Sequence, residues 1–73
     1  MNLIVLSCTG DDFDFSIIDQ GYPPEEMEWR IIEAAKEMFP NHYQSFYYDE
    51  SQYPAVDLIL NNRIEHRLVF EKE

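Results

Sequence analysis

Two groups of residues have types that can do chemistry. Asp11, Asp12 and Asp14 form the densest cluster of carboxylates, and Cys8, His42 and His66 are the chain's single thiol and its two imidazoles. Clustered carboxylates offer hard oxygen ligands to Mg²⁺ or Ca²⁺. The spacing here does not match a Ca²⁺-binding helix–loop–helix, whose ligands spread over a longer loop around a central glycine. On one face of a strand, Asp12 and Asp14 would hold their carboxylates roughly 7 Å apart, too far for one ion without a bend. The thiol and the imidazoles invite a nucleophile–base reading, but no third, orienting residue is indicated. One Cys and two distant His also lack the ligand spacing of a zinc site. Cys8 is expected to pack as a small hydrophobe at the end of the first strand. His66 is expected to sit among apolar residues at the core or its edge.

Other signatures of activity are missing from the sequence. Its only glycines, Gly10 and Gly21, rule out a phosphate-cradling loop, and there is no Gly-x-Ser-x-Gly. No catalytic residue, metal ligand or cofactor is therefore assigned, and the expectation is a protein that binds and is not an enzyme.

The charge gives that expectation a direction. Fifteen Asp and Glu face five Lys and Arg, a formal charge of −10 on 73 residues. Residues 1 to 28 hold seven acids and no Lys or Arg. DNA, RNA and anionic lipid need a positive field, so direct binding to nucleic acid or membrane is not expected. A basic protein surface is the complement. Negative charges repeated along a strand and the following helix imitate a run of phosphates, which such proteins meet with spaced Lys and Arg. Trp29 adds a second feature. On a helical wheel it falls opposite the apolar stripe, among Glu25, Glu33 and Lys36, which is the composition of a binding hot spot. The expected partner surface comprises Asp11, Asp12, Asp14, Asp19, Glu25, Glu26, Trp29 and Glu33. The plainer alternative is a solvated acidic face that keeps the chain in solution, with Trp29 packed under a loop.

These residues need elements to position them. Residues 3 to 8, with Leu3, Ile4, Val5 and Leu6 apolar, predict a buried strand, closed by the turn signal Thr9-Gly10-Asp11-Asp12. Phe13, Phe15 and Ile17 alternate with Asp12, Asp14 and Ser16, which predicts a half-buried second strand forming a hairpin with the first. Gln20-Gly21-Tyr22-Pro23-Pro24 breaks the pattern. A helix is expected from there to about Phe39, stopping before Pro40. Met27, Ile31, Ala34, Ala35 and Met38 share its apolar face, with Ile32 and Phe39 on the flank and Glu25, Glu26, Glu33 and Glu37 outside. Tyr43 to Tyr48 reads as a strand with Phe46 and Tyr48 on one side and Tyr43, Ser45 and Tyr47 on the other. One of those sides is expected to be core, the other a tyrosine-rich contact patch. Asp49 to Pro54 is a loop. Val56, Leu58 and Leu60 alternate with Asp57 as a strand, with a short helix over 55–60 as the alternative. Asn61-Asn62 is a tight turn, and Ile64, His66, Leu68 and Phe70 share one face of the last strand.

The expected fold is thus α+β: one domain, residues 1–73, with a single helix on an antiparallel sheet in the order β-β-α-β-β-β. The chain start lacks the basic residues and long apolar run of a signal peptide, and one cysteine excludes an intramolecular disulfide. A cytoplasmic setting is expected. The leading functional expectation is a non-enzymatic inhibitor that occupies the basic groove of a nuclease or other nucleic-acid-binding protein. Phage-encoded anti-restriction and anti-CRISPR proteins and the immunity proteins of nuclease toxins share that physical character as a class. The second expectation is an assembly module that forms a homodimer or joins a complex through a sheet edge or the tyrosine patch. The third is a small metal-dependent activity at Asp11, Asp12 and Asp14.

Overall fold

The computed structural model of the chain describes residues 1–8, 15–21 and 24–72. Its elements follow the expected order: β1 (Asn2–Ser7), β2 (Phe15–Asp19), α1 (Met27–Met38), β3 (Tyr43–Tyr48), β4 (Pro54–Leu60) and β5 (Arg63–Glu71). A 3₁₀ turn at Pro24–Glu26 leads into α1. All strand pairs are antiparallel, in the spatial order β2-β1-β5-β4-β3. The segment 55–60 is strand and not helix, because Val56 and Leu58 alternate into the core opposite Leu68 and His66.

The helix is where the apolar stripe puts it. Met27, Ile31, Ala34 and Ala35 are buried against Leu3, Val56, Leu58, Leu68 and Phe70. Full burial of a side chain such as Ile31, Leu58 or Leu68 contributes about 1.5–3 kcal/mol. The last turn departs from the stripe: Met38 is 44% exposed. Phe39 leaves helical geometry (φ −132°, ψ 60°) and packs against the core in its stead. Helix ends leave carbonyls without partners. Here Phe39 N–H donates to the Ala35 carbonyl at 3.0 Å, and Gln44 Nε2 reaches the same oxygen from β3, also at 3.0 Å.

The sheet has a face covered by α1 and an open face. Phe15 and Ile17, expected to be half-buried, are 64% and 47% exposed on the open face. The core contact from β2 comes from Ile18 instead. Ile64 is likewise exposed, and Cys8, expected to pack at the strand end, is exposed just beyond it. Phe46 and Tyr48 lie on the side of Val56 but are exposed, because β3 is the sheet edge and α1 packs over β4 and β5. The turn at Asn61-Asn62 holds both residues at positive φ, 54° and 63°. That is the two-residue geometry asparagine tolerates, and it sets Leu60 opposite Arg63.

Two irregularities in the sheet redirect side chains. In β2, Leu3 pairs with Asp19 but Ile4 with Ile17, so Ile18 is an extra residue. In β5, Leu58 pairs with His66 but Ile59 with Ile64, so Glu65 is an extra residue. A bulge of this kind breaks the alternation of faces. Asp19, with Leu3, is thereby turned to the covered face. Ile64, with Ile59, is on the face opposite His66, where unbroken alternation would have set them together.

Candidate functional site

Three constellations of side chains stand out. The first is the outer surface of α1 and the turn before it. Glu25 and Glu26 are exposed and sit at the positive end of the helix dipole. Trp29 is 64% exposed, as its place opposite the apolar stripe requires. Arg30 gathers two of the expected acids: its guanidinium lies 3.0 Å from Asp19 and 3.7 Å from Glu33. Asp19 and Glu33 therefore belong partly to an internal ion-pair arrangement, whereas Glu25 and Glu26 face solvent. Glu28 looks elsewhere, toward β3, where it accepts a hydrogen bond from the Tyr48 hydroxyl and holds that phenol above its ordinary pKa. Asp11, Asp12 and Asp14 lie outside the described residues.

The second constellation is on the open face. Asp57 stands directly opposite Arg67 on the neighbouring strand. Arg67 Nε donates to its Oδ1 at 2.6 Å and Nη2 to its Oδ2 at 3.4 Å. The Tyr47 hydroxyl donates to the same carboxylate at 3.1 Å, and the Arg67 guanidinium lies 6.0 Å from the Tyr47 ring centre. Burial, then the Asp57 charge and hydrogen bond, push the Tyr47 phenol above its ordinary pKa. The Asp57 hydrogen bond holds Arg67 still more firmly protonated. Every group here is committed to another. The cluster is a cross-strand tie, with no free base or nucleophile.

The third constellation was not legible from spacing. It lies past the C-terminal end of α1, where the chain turns through residues 40–42. His42 Nε2 sits 3.0 Å from Glu65 Oε1. The His66 ring centre is 5.8 Å from that of His42, and Phe39 packs on both rings, at 5.4 Å from His42 and 4.7 Å from His66. The bulge at Glu65 brings this about. A regular strand sends adjacent residues to opposite faces; here Glu65 and its neighbour His66 both meet His42. The bulge is tied by the Cys8 N–H, which donates to the Glu65 carbonyl at 2.9 Å. The two histidines that the sequence separates are thus neighbours, while Cys8 contributes its backbone. The sequence signal that could have found the cluster is the pair Glu65-His66 itself, but only once the bulge is known.

The fold and these sites define a class and no more: an acidic α+β chain with one helix on a five-stranded antiparallel sheet. No protein-family model, curated protein or solved structure matches the chain. Among the described residues, no helix is long and apolar enough to cross a membrane.

Proposed function

We propose that the chain is a binding protein that docks the outer surface of α1 and its leading turn on a basic partner, of the kind that holds nucleic acid. The observation that carries this reading is Trp29: a large aromatic side chain, 64% exposed, beside the solvent-facing Glu25 and Glu26 in a chain of net charge −10. An exposed indole among carboxylates suits an arginine-bearing surface, where stacking and charge act together. The long-range field would bring such a partner in. Asp11, Asp12 and Asp14, which lie in the sequence between β1 and β2, would add to the same field. As an inhibitor, the protein would act by occupying the surface that nucleic acid needs.

A second reading, an assembly module, is favoured by the open face of the sheet. Phe15, Ile17, Tyr43 and Ile64 are all exposed there, on a face that α1 leaves uncovered and a second copy could cover. One experiment separates the two. The chain is immobilised, challenged with extracts of its source cell, and washed with rising salt, beside the variants Glu25→Lys/Glu26→Lys and Trp29→Ala. The first reading expects a basic protein that elutes with salt and is lost in both variants. A partner that persists at high salt and ignores both variants would overturn it. Retention of further copies of the chain itself, lost in Ile17→Lys, would establish the second.

A further inference from the structure

We propose that His42, Glu65 and His66 form a binding site for a divalent first-row transition metal ion, of which Zn²⁺ is the type. The site is separate from the acidic docking surface, which lies at the other end of α1. Its basis is the geometry of three side chains. One ligand atom from each, two imidazole nitrogens and one carboxylate oxygen, lie within 4.8 Å of one another. Around a tetrahedral Zn²⁺ with bonds of about 2.0–2.1 Å, neighbouring ligand atoms are about 3.3 Å apart. The His42–Glu65 edge, at 3.0 Å, is already near that length. The other edges need to close by at most about 1.5 Å, within reach of side-chain rotation.

The donor set selects the ion. Mg²⁺ and Ca²⁺ take oxygen ligands, whereas two imidazoles with one carboxylate suit zinc and its neighbours. Three protein ligands are the number found where zinc keeps one position open. The surroundings fit. The His42 and Glu65 side chains are 14% and 26% exposed, sheltered yet open to an entering ion. The Phe39 ring packs on both imidazoles, edge-on to His42 and tilted against His66. His66 also lines a cavity of about 230 Å³ with Val5, Ser7, Ser16 and Phe39, which leaves room beside that imidazole. The backbone bond from Cys8 to Glu65 holds the bulge, so the three side chains are already grouped before the ion arrives.

The test is titration of the full chain with Zn²⁺ by calorimetry, and with Co²⁺ followed through its visible d–d absorption, with Mg²⁺ and Ca²⁺ as controls for unspecific attraction to the acidic surface. The expected result is one equivalent bound, Zn²⁺ displacing Co²⁺, and a melting temperature raised by Zn²⁺ but not by Mg²⁺ or Ca²⁺. His42→Gln, Glu65→Gln and His66→Gln should each weaken Zn²⁺ binding by at least about tenfold, the lower end of what loss of an outer-shell partner alone costs. Glu25→Gln should leave it unchanged. Circular dichroism shows whether each variant is folded; should His66→Gln not fold, the intact chain and His42→Gln decide the matter. Zn²⁺ binding no stronger than that of Mg²⁺, or Zn²⁺ binding indifferent to these substitutions, would overturn the proposal and leave His42–Glu65 as a hydrogen-bonded pair only.

Discussion

The two bulged regions of the sheet use one backbone device for different chemistry. At Ile18 the extra residue turns Asp19 toward α1, where it meets Arg30 at 3.0 Å. At Glu65 the extra residue sets a carboxylate beside two imidazoles. The first carboxylate meets a guanidinium, which stays charged and has only donors to offer, so the result is a tie, one that Glu33 shares. The second meets nitrogens that carry lone pairs when neutral, so the group can be shared with a third species. A bulge thus decides which face a side chain joins, and the residue opposite decides whether the result is a tie or a site. The supports differ as well: Ile18 is partly buried at the sheet's edge strand, whereas Leu58, opposite His66, is fully buried on an interior strand.

The largest expected difference between the two regions is in that support. Leu58→Ala should destabilise the chain by about 2–5 kcal/mol, the range for truncating a closed core position. Ile18→Ala should cost about 1–2 kcal/mol, since its side chain leaves water only in part. Urea unfolding of both variants measures the gap. Equal losses would mean that the two bulges are equally supported.

A smaller contrast comes from the charged partners. Arg30→Ala removes the guanidinium shared by Asp19 and Glu33 and should cost about 1 kcal/mol, the upper end for partly exposed ion pairs. For a chain of this size that is a fall of about 4–8 °C in melting temperature. The deficit should shrink in high salt, which screens the bared carboxylates. Without added metal, Glu65→Gln should change the melting temperature less than Arg30→Ala. A larger loss at Glu65 would make that second carboxylate the stronger tie.

The smallest effect comes from an acid with no bulge beside it. Asp57 faces Arg67 in regular register, and Tyr47 is held protonated above its ordinary range by burial and by Asp57. A phenol whose folded pKa is raised contributes stability that is complete below about pH 10 and fades as pH rises through the folded value. In Asp57→Asn the Tyr47 phenol should ionise at lower pH than in the parent, read as tyrosinate absorbance against a Tyr47→Phe reference. An unchanged titration would remove Asp57 as a cause.

How far the sequence shows all this depends on how local the cause is. The stripe from Met27 to Ala35 and the Asn61-Asn62 turn are set by neighbours in the chain, and both read correctly. The face of β2 did not. Phe15 and Ile17 carry the alternation, yet they face the open side while Ser16 and Ile18 share the covered one, because the partner strand β1 decides which side α1 covers. The histidine cluster is hidden for the same reason. Counting by twos groups Ile64 with His66 and Leu68, and only the extra residue in β5 separates Ile64 and brings Glu65 beside His66. Trp29's place opposite the apolar stripe was legible because helical spacing alone sets it; its exposure stood beside packing under a loop until the structure showed it. Arg30's hold on Asp19, eleven residues earlier in the chain, was not legible.

The place of β5 bears on how the chain reaches this state. It comes last in the chain among the five strands, yet it lies in the middle of the sheet, between β1 and β4. The β1–β2 hairpin and the β3–β4 pair share no hydrogen-bonded edge, so neither can join the other until β5 has been synthesised. Until then the inner edges of β1 and β4 lack their partner strand, and the sheet closes through contacts far apart in sequence. Such closure is slow and leaves those edges open to other chains in the interval. Glu65 and His66 are part of that closing strand, so the cluster they form with His42 cannot exist until it is in place.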